Sequence, residues 1–189
     1  TYKVSLNGGV PKLLNKGNFN TMTYPSDNHR YFVNNFSRVN TTPESHLINS
    51  DGTVIMKLEK ADLSALFESG YQFPETFKAK ADDGITDLYG VIYKPFDFDE
   101  NKKYPLLEYV YPGPQTESVN KSFSVRMDRL DRMAQLGFIV ITLGNRGGHP
   151  DRSKWYHNYG YGNLRDYGLA DKKYVAQQLA NRHDFIDIN

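Results

Sequence analysis

The sequence contains no cysteine among its 189 residues. Disulfide bridges and thiolate zinc sites are therefore excluded, and this absence fits the cytosol and a bacterial periplasm equally well. Long apolar runs are absent too, so the sequence predicts no membrane span. Neither sign of charge dominates, because the sequence has 23 Lys and Arg residues and 22 Asp and Glu residues. This balance argues against a nucleic-acid-binding face or a polybasic membrane patch.

Several functional signatures are also missing. No Gly-x-Ser-x-Gly occurs, so the chain lacks the nucleophile elbow of an α/β-hydrolase. The five histidines lack the i, i+4 spacing with a glutamate that forms a helical zinc site. The glycine-rich segment 144–150 has no phosphate-binding spacing and no Lys-Ser or Lys-Thr pair after it. The sequence therefore predicts neither a metal nor a cofactor.

The first sixty residues carry short apolar-polar alternations separated by turn residues. Asp51-Gly52 predicts a tight hairpin between the last two strands. Regular short strands of this kind indicate a sandwich, a barrel or a propeller blade. The predicted strands are 2–6, 19–24, 31–36, 46–48 and 53–58.

The pattern changes after Leu58. Leu63, Leu66 and Phe67 have helical spacing before Gly70, which predicts a short connecting helix with a glycine cap. Beyond it, strands and helices alternate, as they do in an α/β sheet. The predicted strands are 73–79, 86–94, 106–111 and 138–144, the last of them a buried parallel strand.

Two longer helices complete this second pattern, and "DFIDIN" at the end predicts the lead-in to a further strand. The first helix has apolar residues at Val125, Met127, Leu130, Met133 and Ala134, and Gly137 ends it. The second has apolar residues at Leu164, Tyr167, Ala170, Tyr174, Val175 and Leu179.

Tyr111 ends the apolar run "LLEYVY" and is followed by Pro112-Gly113-Pro114. Open α/β sheets bind their ligands beyond the carboxyl ends of their strands. A tyrosine hydroxyl held there by stiff prolines can donate to the oxyanion of an acyl-transfer intermediate. The sequence has 14 tyrosines, so this segment alone favours a core or rim tyrosine followed by an ordinary proline turn.

Arg146 lies in a second loop after a predicted strand, "GNRGGHP". It can bind a carboxylate ligand or form a structural ion pair. His149 and His157 are nearby candidates, although surface or loop positions are the simpler interpretation for both.

The order of these segments resembles the dipeptidyl peptidase IV branch of the prolyl oligopeptidase family. "KKYPLLEYVYPGPQ" is similar to the family's oxyanion-tyrosine segment, and "GFIVITLGNRGG" to its next strand and Arg-Gly loop. Asn145 stands where many relatives have Asp-Gly or Asp-Ser before the arginine. "YPSDNHRYFVNNFSRVNTTPESHLINSDGTVIMKLE" resembles the last blade of the family's propeller, so the likeness covers nearly the whole chain.

The resemblance implies an α/β-hydrolase sheet, in its amino-terminal half, preceded by β-propeller strands. It implies last-blade strands over 1–60, a connecting helix over 61–72 and a hydrolase part over 73–189. Of the family's catalytic positions only Tyr111 carries over, as the side-chain donor of the oxyanion hole. The triad serine, aspartate and histidine would lie beyond Asn189, and substrate-binding residues are not identifiable. The chain is thus expected to be an inactive internal fragment of a serine peptidase that cleaves after proline.

Two alternatives remain open: another α/β-hydrolase, such as an acyl-peptide hydrolase or an esterase, and a non-catalytic binding module. The expected partners are a peptide substrate, the rest of the chain's own polypeptide and a second copy in a homo-oligomer. The resemblance favours a periplasmic or extracellular location.

Overall fold

The computed structural model describes residues 1–111, 115–124, 129–163 and 165–188. The chain divides into two compact units. The first unit consists of Thr1–Ser69 together with Lys121–Phe123, and the second consists of Gly70–Asn120 and Ser124–Asn189.

The first unit contains a small strand pair and a four-stranded antiparallel sheet in the order β3-β4-β5-β6. An antiparallel meander of four strands is the form of a propeller blade. The strands are β1 (Tyr2–Lys3), β2 (Lys12–Leu13), β3 (Asn20–Pro25), β4 (Tyr31–Ser37), β5 (Glu44–Asn49) and β6 (Val54–Lys60).

The strand predicted over 2–6 is shorter in the structure, where β1 ends at Lys3. A turn begins early, because the Gly8 amide donates to the Ser5 carbonyl at 2.9 Å and the Asn7 amide donates to the Ser5 hydroxyl at 3.2 Å. The short strand β2, which the sequence did not predict, pairs with β1.

The hairpin predicted at Asp51-Gly52 is confirmed. Gly52 has a φ of 84°, a conformation that glycine adopts without the usual steric cost. The Asn49 side chain accepts hydrogen bonds from the amides of Asp51 and Thr53, at 2.9 and 3.0 Å. The turn therefore sets the pairing of Ile48 with Val54, the pair nearest to it, and the register of β5 against β6 shifts further along.

A short helix, α1 (Ser64–Glu68), lies where the sequence predicted one, and its role as the connection stays a prediction. Asp62, two residues before the start of α1, accepts hydrogen bonds from the Ser64 hydroxyl and amide, and these two bonds lower the pKa of its carboxyl. Leu63 is buried, and Gly70 follows the helix with a φ of 92°.

The second unit contains a five-stranded mixed sheet in the order β11-β9-β10-β8-β7. β10 runs parallel to β9 and antiparallel to β8, so the prediction of a parallel strand is right on one side only. β7 and β8 form a hairpin, which makes that part of the sheet antiparallel. The strands are β7 (Glu75–Lys80), β8 (Asp87–Tyr93), β9 (Tyr104–Tyr109), β10 (Ile139–Leu143) and β11 (Ile186–Asp187).

Three helices accompany this sheet: α2 (Arg129–Ala134), α3 (Lys154–Asn158) and α4 (Leu169–Arg182). All five residues of β10 are buried, and Val175 and Leu179 of α4 belong to the same core. Of the apolar positions predicted on the helices, Tyr167 precedes α4 and Tyr174 is 38% exposed. Val125, Met127 and Leu164 lie outside the described residues.

No helix among the described residues is long and apolar enough to cross a membrane.

Candidate active site

Tyr111 lies two residues beyond the end of β9, whereas the sequence predicted a strand that includes it. The parallel ladder explains the difference, because its last pair joins Thr142 to Tyr109, and β10 itself ends at Leu143. Without a partner strand at its own level, Tyr111 leaves the sheet and is 56% exposed. Pro112 and Pro114, predicted to stiffen this point, lie outside the described residues.

A cavity of about 270 Å³ opens beside Tyr111. It lies at the carboxyl ends of β9 and β10, the edge at which open α/β sheets bind ligands. Polar and aromatic groups make up most of its wall, which is formed by Tyr109, Tyr111, Thr116, Glu117, Ser118, Asn120 and Leu130. Within the described part of the chain, the Tyr111 hydroxyl makes no hydrogen bond, so it is available to a ligand.

Glu117 is an ionisable group in this wall with a buried partner. The Tyr156 hydroxyl donates to Glu117 Oε1 at 2.6 Å. Burial, and next the hydrogen bond to Glu117, raise the pKa of Tyr156, which keeps this hydroxyl protonated. Sequence reasoning missed both residues, and the only local signal was Ser153, whose side chain caps α3 by accepting from the Tyr156 amide.

Arg146 forms a structural ion pair, which was one of its two possible roles; the other was to bind a carboxylate ligand. Its Nη2 lies 2.6 Å from Asp171 Oδ1, and its Nη1 lies 3.0 Å from Asp83 Oδ2. Its guanidinium also stacks on the Tyr159 ring, 4.2 Å from the ring centroid. Arg146 is 4% exposed and Asp171 is fully buried, so this arginine braces the loop after β10 from within.

The candidate histidines also make local contacts. His157 Nδ1 lies 2.8 Å from the Gly148 carbonyl oxygen. His149 Nδ1 accepts from the Asp151 amide at 3.2 Å. The residues that the structure describes include no group of three or more His, Asp or Glu side chains arranged to hold a metal ion.

The comparisons with known proteins agree with this architecture. No family model matches the chain. The chain is 38% identical to human dipeptidyl peptidase 8 over 120 residues, which cover 63% of the chain and 13% of that protein. It is 27% identical to a probable dipeptidyl-aminopeptidase B of Tuber melanosporum over 202 residues, covering 93% of the chain and 21% of the relative.

Among solved structures, a putative dipeptidyl aminopeptidase IV from Bacteroides ovatus matches with a TM-score of 0.75 and 27% identity. The match covers 89% of this chain and 24% of the Bacteroides chain. Fold and sequence together define the class, an α/β-hydrolase sheet preceded by β-propeller blade strands. The chain resembles the dipeptidyl peptidase IV branch of the prolyl oligopeptidase family, and it spans between an eighth and a quarter of the length of these relatives.

Proposed function

We propose that the protein carrying this chain is a serine exopeptidase that hydrolyses peptide bonds after proline near a free amino terminus. The position of Tyr111 carries this proposal, since this residue lines the cavity beside the carboxyl end of β9. A phenol at this place donates a hydrogen bond to the oxyanion that forms when a nucleophile attacks the scissile carbonyl. The dipeptidyl peptidase names of the relatives supply the substrate class.

The pairing of β11 indicates where the nucleophile would be. Ile186 pairs with Tyr104 in a parallel register, so a strand that continues β11 draws level with Tyr111 about seven residues after Ile186. A serine in a sharp turn at that level would face the same cavity as Tyr111. We place the triad aspartate and histidine further along the polypeptide.

The 189-residue chain alone is then inactive, because an oxyanion donor without a nucleophile and a base does not hydrolyse peptides. The rest of its polypeptide is its first partner, and peptide substrate binds only the complete protein. We also retain 61–72 as the connection between blade strands 1–60 and hydrolase part 73–189.

The test of this proposal is Tyr111→Phe in the full-length protein, assayed with a dipeptide that ends in proline and carries a chromogenic leaving group. We expect kcat to fall about 100- to 1000-fold, because one oxyanion donor is lost, while KM stays nearly constant. Tyr161→Phe is the matched control, since Tyr161 is 91% exposed and lies outside the cavity.

An unchanged kcat in Tyr111→Phe would contradict the oxyanion role. Blocking the amino terminus of the substrate is a second discriminator. Equal hydrolysis of blocked and free substrates would contradict the exopeptidase assignment and favour an acyl-peptide hydrolase or an esterase.

A further inference from the structure

Two glycines shape the space that the Glu117 side chain occupies. A Cβ atom at Gly144 would lie 2.6 Å from Glu117 Oε2, and a Cβ atom at Gly148 would lie 2.5 Å from Glu117 Oε1. Real Cβ atoms do not approach other heavy atoms this closely. The loop after β10 therefore admits Glu117 because it has no side chain at either position.

The opposite side of Glu117 is fixed by α3. The Tyr156 hydroxyl donates to the carboxylate, and the Tyr156 carbonyl accepts from the Gly147 amide at 2.6 Å. The buried ion pair of Arg146 and Asp171 also holds this loop in place. The carboxylate of Glu117 is thus held against a part of the protein that has little freedom to move.

Glu117 is also linked to the end of β9. The next residue, Ser118, donates from its hydroxyl to the carbonyl of Tyr109 at 3.2 Å. Tyr109 is the last residue of β9 and stands two positions before Tyr111. Further along, the Asn120 side chain donates to the Tyr93 hydroxyl at 3.0 Å. The segment 115–120 is therefore tied to the sheet by two side chains, and to α3 by Glu117.

We propose that Glu117 is a positioning residue for Tyr111: its contact with Tyr156 and the two glycines sets the place of the segment 115–120 and, through it, the direction of the Tyr111 ring in the cavity. The inference rests on the proposed function, since it assigns Glu117 a task in the same site.

The experiment uses the full-length protein and the same proline dipeptide substrate. Glu117→Ala should lower kcat about 10-fold or more with KM within about twofold, because a displacement of about 1 Å in a catalytic group can cost about 100-fold. Glu117→Gln keeps an oxygen that accepts from Tyr156 and should recover most of the rate. Tyr161→Phe again serves as the control and should match the wild type.

Gly144→Ala is an independent variant, because the three atoms nearest the added methyl group all belong to the end of the Glu117 side chain. Gly144→Ala removes no hydrogen-bonding group. It therefore replaces Glu117→Ala as the test variant if Glu117→Ala lowers the unfolding temperature. We expect Gly144→Ala to lower kcat by a similar factor. In a Glu117→Ala background it should have no further effect.

Combination with Tyr111→Phe decides whether Glu117 acts through Tyr111. In that background, Glu117→Ala should change kcat by less than about twofold, since the group that it positions has lost its hydroxyl. Multiplicative losses, or an effect on KM alone, would overturn the inference. An active wild type with an impaired Tyr111→Phe and a silent Glu117→Ala would overturn it while the proposed function stands. An inactive wild type would overturn both.

Discussion

Arg146 and Asp171 show how a residue with a site-like position can serve the fold. Arg146 follows a buried strand at the ligand-binding edge, so the sequence alone leaves a functional role and a structural role both open. The Asp171 carboxylate, however, accepts hydrogen bonds from Nε and Nη2 of Arg146. It also accepts one from the Arg146 backbone amide, at 3.0 Å. An arginine with so many donors already used has little left for a carboxylate ligand.

Asp83 is the outer partner of Arg146, and its titration gives a prediction for acid stability. Burial alone would raise its pKa, but hydrogen bonds from the Thr86 hydroxyl and from the amides of Thr86 and Ile85, with the charge of Arg146, lower the pKa to about 2. The stabilisation is present above the ordinary value of 3.8 and is lost as the pH falls toward 2.

We therefore expect Asp83→Asn to lower the urea midpoint of the full-length protein at pH 6 and to lower it less at pH 3. The exposed neighbour Asp82 provides the control, because its side chain forms no ion pair among the described residues. A midpoint difference between wild type and Asp83→Asn that is constant from pH 6 to pH 3 would contradict the assignment.

At the scale of elements, the strands were predicted better than the helices. Alternation and turn residues suffice to locate β4, β6 and the hairpin at Asp51-Gly52, because these signals are local. The helix α3 was missed: it is only five residues long, and the glycines and prolines around it favour a loop. Strand β9 was predicted to end at Tyr111 because apolar sequence continues there, while its real end depends on where β10 stops.

The site was predictable only in part. Tyr111 was found through the resemblance and through its place after a strand, and its role stays a prediction. Glu117 and Tyr156 are 39 residues apart, and their hydrogen bond is made by a fold in which glycines leave room for the carboxylate. No local pattern in the sequence encodes such a pair.

Gly90 gives a test of how closely β8 approaches its neighbours. A Cβ atom there would lie 2.3 Å from the Phe77 ring and 2.5 Å from the Thr142 carbonyl oxygen. Gly90→Ala should lower the free energy of unfolding by about 1–3 kcal/mol, because the core is already filled. Since the Thr142 oxygen is backbone, adding Phe77→Leu should restore stability only in part. An unfolding temperature that Gly90→Ala leaves unchanged would refute this packing.

At the scale of the whole molecule, the chain exposes surface that soluble proteins usually cover. Val54, Ile55, Met56 and Leu58 of the edge strand β6 are 43–56% exposed. Neighbouring residues of a strand point to opposite faces, so both faces of β6 carry apolar groups. An edge strand of this composition readily pairs with another chain.

We expect the isolated 189-residue chain to self-associate, which light scattering over a concentration series measures directly. Ile55→Lys should shift the isolated chain toward the monomer, because a charge on an edge strand opposes its pairing with a strand of another chain. Lys57→Arg in the same strand keeps the charge and should leave the association unchanged. A monomeric wild-type chain with a cooperative unfolding transition would contradict this expectation.

Our central proposal is that this chain spans the last propeller strands and the first part of the hydrolase sheet in a serine exopeptidase. Sequencing the coding region immediately after Asn189 tests it most directly. The register of β11 against β9 predicts a short apolar strand and then a Gly-x-Ser-x-Gly within about ten residues of Ile188. A stop codon, or a continuation without such a serine, would contradict the claim and leave Tyr111 without a nucleophile to assist.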